Sequence, residues 1–447
     1  MKIYTKITLI SLAILSLAVF LMAPEISAEP ILATAEAEGA GLNTADMVWV
    51  ILASTLVFMM IPGLALFYGG MLRKQSMTST IAQSLMATSI VFIMWAFVGF
   101  SLAFNGDIGG FIGGFENLFM NGVSYEESTM GLGIPDMEFL VFQAMFAMVT
   151  AVIVIGASAE RVRFPAIMLF LVFWSILVYA PMAHMVWGGG FLSTDWGAIV
   201  SLDYAGGTVV HICSGITGVA IALVVGKRSV RTIKDRPHNI PLMFFGAMLL
   251  WVGWLGFNGG SGLAVDTGLI NVITTTIMSS VTGLLMWGIL QLIMVGRVNV
   301  TGMSAGALAG LVAITPGCAF VEAPAAIAIG AIGAVICYAG ISFMRKRSGV
   351  DDALDVFGLH GLGGIWGAIA TGIFAIPALT DTPGLLYGGT DVFIGQFLAV
   401  GFTLAYCFTV SFVIMKAISL VMRVRLTEEE EMIGADIIEH GESAYDW

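Results

Sequence analysis

The sequence predicts an all-α membrane protein of eleven transmembrane helices, an inverted repeat of five plus five helices with a final helix appended. Three observations predict it. The first is composition: the 447 residues are 58% hydrophobic and only 11% charged. Mean hydropathy is +0.96, because uncharged runs of about twenty residues recur along the whole length. The second is a one-sided placement of positive charge, and the third is a pair of histidines at matching positions in two of the runs.

Taken in order, residues 1–28 carry Lys2 and Lys6, an apolar run from Ile7 to Ala23, and small residues before Glu29. That order resembles a cleaved secretory signal. The apolar run is a little long for one, which leaves an uncleaved anchor as the alternative. Residues 29–45 read as a short polar lead-in on the outer side. Eleven apolar spans follow, near 46–70, 79–103, 139–159, 164–187, 204–226, 240–258, 269–295, 303–321, 324–343, 358–376 and 391–418. Each approaches the twenty or so residues that a bilayer-crossing helix needs. The seventh is long, with Gly283 as a candidate bend. Glycine is abundant, at 55 residues, which suits closely packed membrane helices. Gly302, Gly306 and Gly310, each four apart, make one smooth helix face. Residues 46–418 thus form one transmembrane domain, and 419–447 a tail.

Charge orients these spans. Arg73 and Lys74 follow the first, Arg161 and Arg163 the third, and Lys227, Arg228, Arg231, Lys234 and Arg236 the fifth. Arg297 follows the seventh, Arg345, Lys346 and Arg347 the ninth, and Lys416, Arg423 and Arg425 close the eleventh. The connections 104–138, 188–203, 259–268, 316–323 and 377–390 contain neither Lys nor Arg. Every basic residue after position 28 therefore falls on one side, the cytoplasmic one by the positive-inside rule. The N-terminus is expected outside and the tail inside. The net charge of -12 resides in loops and tail, and nucleic-acid binding is excluded. Cys213, Cys318, Cys337 and Cys407 are too scattered for a metal site or a disulfide framework and read as small buried hydrophobes. No nucleophile, metal cluster or phosphate loop points to an enzyme, and no cofactor is implied.

The fifth span opens with Asp203, seven residues and His211; the tenth opens with Asp352, seven residues and His360. Small residues follow each histidine, Ser214–Gly215 and Gly361–Gly364. Because the fifth span enters from outside and the tenth from inside, the two imidazoles are expected at similar depth, where the halves of an inverted repeat meet. An ionisable side chain near mid-bilayer is costly and marks a functional site by default. One lone histidine is better read as a packed core residue, but a symmetry-matched pair points to function. Two readings are open: imidazoles lining a path for a small polar solute or a proton, or axial ligands of a membrane haem. His184 reads as structural; His238 and His440 lie in a cytoplasmic loop and in the tail.

Phe142 and Phe146 lie one turn apart near the outer end of the third span, Trp187 ends the fourth, and Trp254, Phe257 and Ser261 lie toward the outer end of the sixth. Singly, each suits packing or an interfacial anchor. Together they make an outer vestibule of aromatic faces and a hydroxyl, suited to a small cation held by cation–π attraction worth about 0.5–2 kcal/mol per ring.

These residues resemble the ammonium transporter (Amt/Mep) family of the wider Amt/Mep/Rh superfamily. The resemblance is carried by Asp203–Arg228 itself, GASAERVRF at 156–164, AHMVWGGG at 183–190, and GKR with PHNIP at 226–241. It is carried further by GFNGGS at 256–261, ITP at 314–316, DVFGLHG at 355–361, and TEEEE with EHGESAY at 427–445. It implies a multi-pass protein of the plasma or inner membrane that moves ammonium, or methylammonium as an analogue. Phe146, Trp187 and Ser261 would form the outer recruitment site, and Phe146 and Phe257 the stacked gate beneath it with Phe142 nearby. His211 and His360 would be the twin pore histidines, and Asp203 would shape the site from behind. Thr315 and Trp254 would stand near the pore wall. Trp187 and Ser261 favour the Amt branch over the Rh branch. The loop 104–138 is long for the family, and the 188–203 connection is somewhat extended.

The resemblance also implies a homotrimer with one pore per subunit, surrounded by lipid, and a PII-family regulatory protein as a candidate partner on the cytoplasmic face. Potassium cannot shed its charge and meets the full desolvation penalty in an apolar pore. Ammonium can lose its proton and cross as ammonia. A sensor with little flux would keep the same recruitment site and stands as the alternative.

Overall fold

Ten helices among the described residues are long and apolar enough to cross a membrane, and no strand occurs among those residues. The computed structural model describes residues 41–194, 199–229 and 237–445. The expected signal segment, most of the lead-in, and Arg231, Lys234 and Arg236 lie outside the described residues. In chain order the long helices are α1 (Thr44–Met71), α2 (Lys74–Phe104), α3 (Asp136–Ser158), α4 (Phe164–Trp187), α5 (Gly207–Val225), α6 (Ile240–Gly260) and α7 (Thr267–Val295). A shorter α8 (Val300–Ile314) precedes α9 (Ala323–Lys346), α10 (Phe357–Phe374) and α11 (Asp391–Val421).

Local chemistry sets the helix starts. Asn43, Asn239, Asp266 and Asn299 each turn a side-chain oxygen onto a first-turn backbone N–H of α1, α6, α7 and α8 respectively. The eighth span, expected over 303–321, is a helix of 15 residues that stops at Ile314. Pro316 disfavours helical backbone in the residue before it, and residues 315–320 continue as turns. α7 runs through Gly283 unbroken. A Cβ there would lie 2.5 Å from the Gly306 carbonyl oxygen and 3.0 Å from Gly310 Cα. The glycine permits close approach of α7 and α8, as the Gly302–Gly310 face predicts.

Within the bundle α1 packs along α6, and the opening turn of each histidine helix packs on the other histidine helix. One end of the bundle collects the arginines and the tail. There buried Glu160 accepts from Arg73 at 3.0 Å and from Arg228 at 2.7 Å, while Arg228 also pairs with Asp351 at 2.9 Å. The tail forms a short helix α12 (Glu428–Ile433) with a Thr427/Glu430 capping box. It is tied down by backbone bonds Arg163 N–Val424 O and Leu426 N–Arg161 O, both 2.9 Å. Arg163 pairs with Glu430 at 2.5 Å and Glu439 at 2.8 Å, and Arg425 with Glu431 at 2.8 Å. The acidic run 428–431 is therefore docked and partly neutralised.

Candidate functional site

The site grows from two capped turns. At the end of the bundle opposite the arginines, Asp203 accepts from the backbone N–H groups of Gly206 (2.9 Å), Gly207 (2.5 Å), Thr208 (2.7 Å) and Val209 (3.3 Å), and from the Thr208 hydroxyl. Gly206 takes φ +107°, a left-handed conformation suited to glycine, which brings these donors round one carboxylate. With its acceptor capacity used by the backbone, Asp203 is scaffolding, as expected, and opens a π-helical turn, Gly207–Ile212, that carries His211.

At the arginine end Asp352 repeats the device. It accepts from Val356 N (2.9 Å) and Phe357 N (2.8 Å) ahead of a second π-helical turn, Phe357–Gly361, that carries His360. The two helices thus enter from opposite ends. They meet through glycine: a Cβ on Gly215 would lie 2.5 Å from both N and Cα of Gly361, and one on Gly364 would lie 2.9 Å from the Gly207 carbonyl. Such π turns are frequent at functional sites, and here they aim both imidazoles inward. Nδ1 of His211 and Nδ1 of His360 are 3.3 Å apart in a hydrogen bond.

One nitrogen must donate and the other accept, so the rings share one proton between them and their outer nitrogens differ, one N–H and one lone pair. Nε2 of His211 has no partner among the described residues. It borders a narrow cavity of about 10 Å³, lined also by Leu64, Val149, Ile153, Leu250, Trp254, Leu308 and His360, roughly the room of one water-sized molecule. The direct contact of the two Nδ1 atoms leaves no space for a metal between them.

Above His211 stands a column of rings. His211 lies 5.9 Å from Phe257; Phe257 stacks on Phe146 at 4.2 Å and 28°; Phe146 meets Trp187 edge-on at 6.0 Å and 90°. Phe142 buttresses Phe146 at 5.0 Å. Trp254 flanks His211, stacked at 5.3 Å. Its indole N–H donates to Thr315 Oγ1 at 2.9 Å, and Thr315 is 3.3 Å from Asn258 Oδ1. Ser261 lies half-buried beyond Phe257, its hydroxyl donating to the Phe257 carbonyl at 2.8 Å. The Trp187 indole donates to the Asp203 carbonyl at 2.7 Å, joining the aromatic end to the capped turn.

Phe142, Phe146, Trp187, Asp203, His211, Trp254, Phe257, Ser261, Thr315 and His360, expected from the sequence as site or supporting residues, lie in this column or on its supports. Asn258, whose amide also donates to Thr276 at 3.0 Å, and the apolar lining of the cavity were not anticipated. An apolar residue inside an apolar span carries no local signal. Beyond the histidines, toward the arginines, a polar cavity of about 210 Å³ is lined by Arg73, Glu160, Arg228, Arg345, Asp351 and Asp352 among others. Burial, with help from neighbouring Asp355, pushes the Asp352 carboxyl up to about 6. Burial acts the same way on Asp351, but its hydrogen bonds and charge contact with Arg228 outweigh it and hold that carboxyl at about 2.

The model of the Ammonium Transporter Family matches residues 48–445. The chain is 43% identical over 406 residues to the ammonium transporter of Bacillus subtilis (strain 168), covering 90% of this chain and 99% of that one. Among solved structures it resembles Candida albicans Mep2, at 34% identity and a TM-score of 0.81, over 90% of this chain and 91% of that one. It also resembles a structure titled Sensor Amt Protein, at 29% identity and a TM-score of 0.82, over 88% of this chain and 98% of that one.

Proposed function

The chain belongs to the ammonium transporter family and is a multi-pass membrane protein; from that premise we propose that it conducts ammonium nitrogen inward through the ring column. In this reading the helices form an inverted repeat of five plus five with α11 appended, the N-terminus outside and the tail inside, in a cell membrane. Ammonium is recruited where Trp187, Phe146 and Ser261 meet. Cation–π attraction to the rings offsets part of its lost hydration, and the Ser261 hydroxyl offers an acceptor lone pair. The stacked Phe146 and Phe257 close the way below, and passage requires the rings to part. In the apolar section a fixed charge is costly, so the proton leaves and ammonia continues.

The imidazoles suit this cargo. A bare Nε2 accepts from an ammonia N–H, and an Nε2–H donates to its lone pair. The Nδ1–Nδ1 hydrogen bond gives the released proton a route beside the ammonia, which is reprotonated in the polar cavity at the arginine end. Potassium, with no proton to lose, is refused. The observation that carries the reading is the unpartnered His211 Nε2 in a cavity of single-molecule size beneath two stacked phenyl rings. The family also makes a homotrimer and a PII-type partner beneath the docked tail part of this proposal.

The likeness to a sensor structure keeps a flux-free role as the competing reading. Uptake of labelled methylammonium into proteoliposomes separates the two. The transport reading expects accumulation well above empty vesicles, suppressed by ammonium and indifferent to potassium. Uptake at the empty-vesicle level would leave sensing.

A further inference from the structure

His184 stands three residues before Trp187 in AHMVWGGG and is fully buried. Its ring lies between two acceptors: Nδ1 is 3.0 Å from the Ala103 carbonyl oxygen, and Nε2 is 3.0 Å from Asp107 Oδ1. A carbonyl oxygen only accepts, so Nδ1 bears a proton. The same Asp107 oxygen also accepts from Gly110 N at 2.7 Å, as an ionised carboxylate does, and its side chain retains 35% exposure to solvent. The His184 hydrogen bond holds the Asp107 carboxyl below the ordinary range. Both ring nitrogens of His184 are thus held by groups of the segment 103–107.

His184 lies in the last turn of α4, which ends at Trp187. Gly188 has no side chain where the Ala103 carbonyl and His184 Nδ1 pack against it, and its N–H donates to the His184 carbonyl at 2.9 Å. Gly189 turns with φ +83°, a conformation for glycine, and Gly190 N donates to the same His184 carbonyl at 3.1 Å. Asp107 in turn anchors the loop whose Gly110 carbonyl accepts from Phe191 N at 3.0 Å. The chain leaving Trp187 is therefore gripped by the loop that Asp107 fixes, while the indole N–H is gripped by Asp203.

We propose that Asp107 and His184 form a positioning pair for the outer site, the Asp107 carboxylate holding His184 and its own loop so that the Trp187 ring stands edge-on to Phe146. The pair assigns a task to the long outer loop and to a histidine that pore chemistry leaves unused. The inference rests on the reading of Trp187 as a wall of the recruitment site.

Asp107→Asn tests it, because the exposed position keeps its size and loses only its charge. Methylammonium uptake is measured in proteoliposomes of the full chain, with thermal unfolding as a check on folding. Asp107→Asn should raise KM about threefold or more with Vmax within about twofold of wild type, and Asp107→Glu should restore KM. Trp187→Leu should raise KM by itself, and adding Asp107→Asn to it should bring little further change, as for residues acting as one unit. A wild-type KM for Asp107→Asn beside a raised KM for Trp187→Leu overturns the positioning-pair inference and leaves the outer site standing. An unchanged KM for Trp187→Leu overturns the outer-site reading itself.

Discussion

Thr315 illustrates how single side chains hold the pore in register. Its hydroxyl receives the Trp254 indole N–H at 2.9 Å, and that indole is stacked on His211 at 5.3 Å. Thr315→Val keeps the shape and removes the acceptor, leaving a buried N–H unpaired at a cost of about 1–3 kcal/mol. Stability should fall by that amount in thermal or denaturant unfolding, and methylammonium uptake should fall severalfold as the indole loses its fixed position against His211. Full uptake with the lower stability would show that Trp254 needs no anchoring. Asp203 works differently: a carboxylate that accepts from four backbone N–H groups and a hydroxyl has no capacity left for an ion. Its position eight residues before His211 was legible in the sequence. The Trp254–Thr315–Asn258 chain was not, because its members lie 57 and 61 residues apart and each alone suits packing.

The elements that matter most are the two π turns and the glycines between them. The Asp-x7-His match and the small residues after each histidine foretold that α5 and α10 would bring the imidazoles together. The π-helical register was invisible, since it depends on which backbone donors each aspartate takes. A glycine serves equally for flexure and for close approach, and at Gly283 the neighbouring α8 packs within 3.0 Å of where a Cβ would lie. Gly215→Ala sets a Cβ 2.5 Å from the Gly361 backbone, which forces α5 and α10 apart and breaks the imidazole contact. Transport should be lost, whereas Gly401→Ala, which meets nothing within 4 Å, should leave it intact; equal activity of the two variants would contradict a crossing this tight.

The tail helix α12 gives a pH prediction. Burial raises the Glu430 carboxyl, but its bond to the Thr427 N–H and its pairing with Arg163 and Arg423 outweigh that and hold it at about 2, below its ordinary 4.5. A carboxyl lowered on docking contributes fully above 4.5, and that contribution is lost as pH falls toward about 2. Hydrogen exchange at 428–433 should therefore accelerate on acidification through that window; protection unchanged down to pH 2 would show that Glu430 does not secure the tail.

At the scale of the molecule, charge is segregated as the sequence indicated. Arginines, their carboxylate partners and the tail share one end, while the other end carries the aromatic rings and the Asp107–His184 pair. Hydropathy revealed the spans because the bilayer demands about twenty apolar residues per helix; it misjudged the eighth, where Pro316 ends the helix early. Between the two ends runs one column from Trp187 to His360, and the account stands on the passage of cargo and proton through the histidine pair. The most direct measurement is the current evoked by an ammonium pulse in proteoliposomes bearing wild-type protein or the His211→Leu/His360→Leu variant. The account predicts a transient current for the wild type and its abolition in the double variant, with the protein still folded. An undiminished current in the variant would contradict a proton route through the imidazoles.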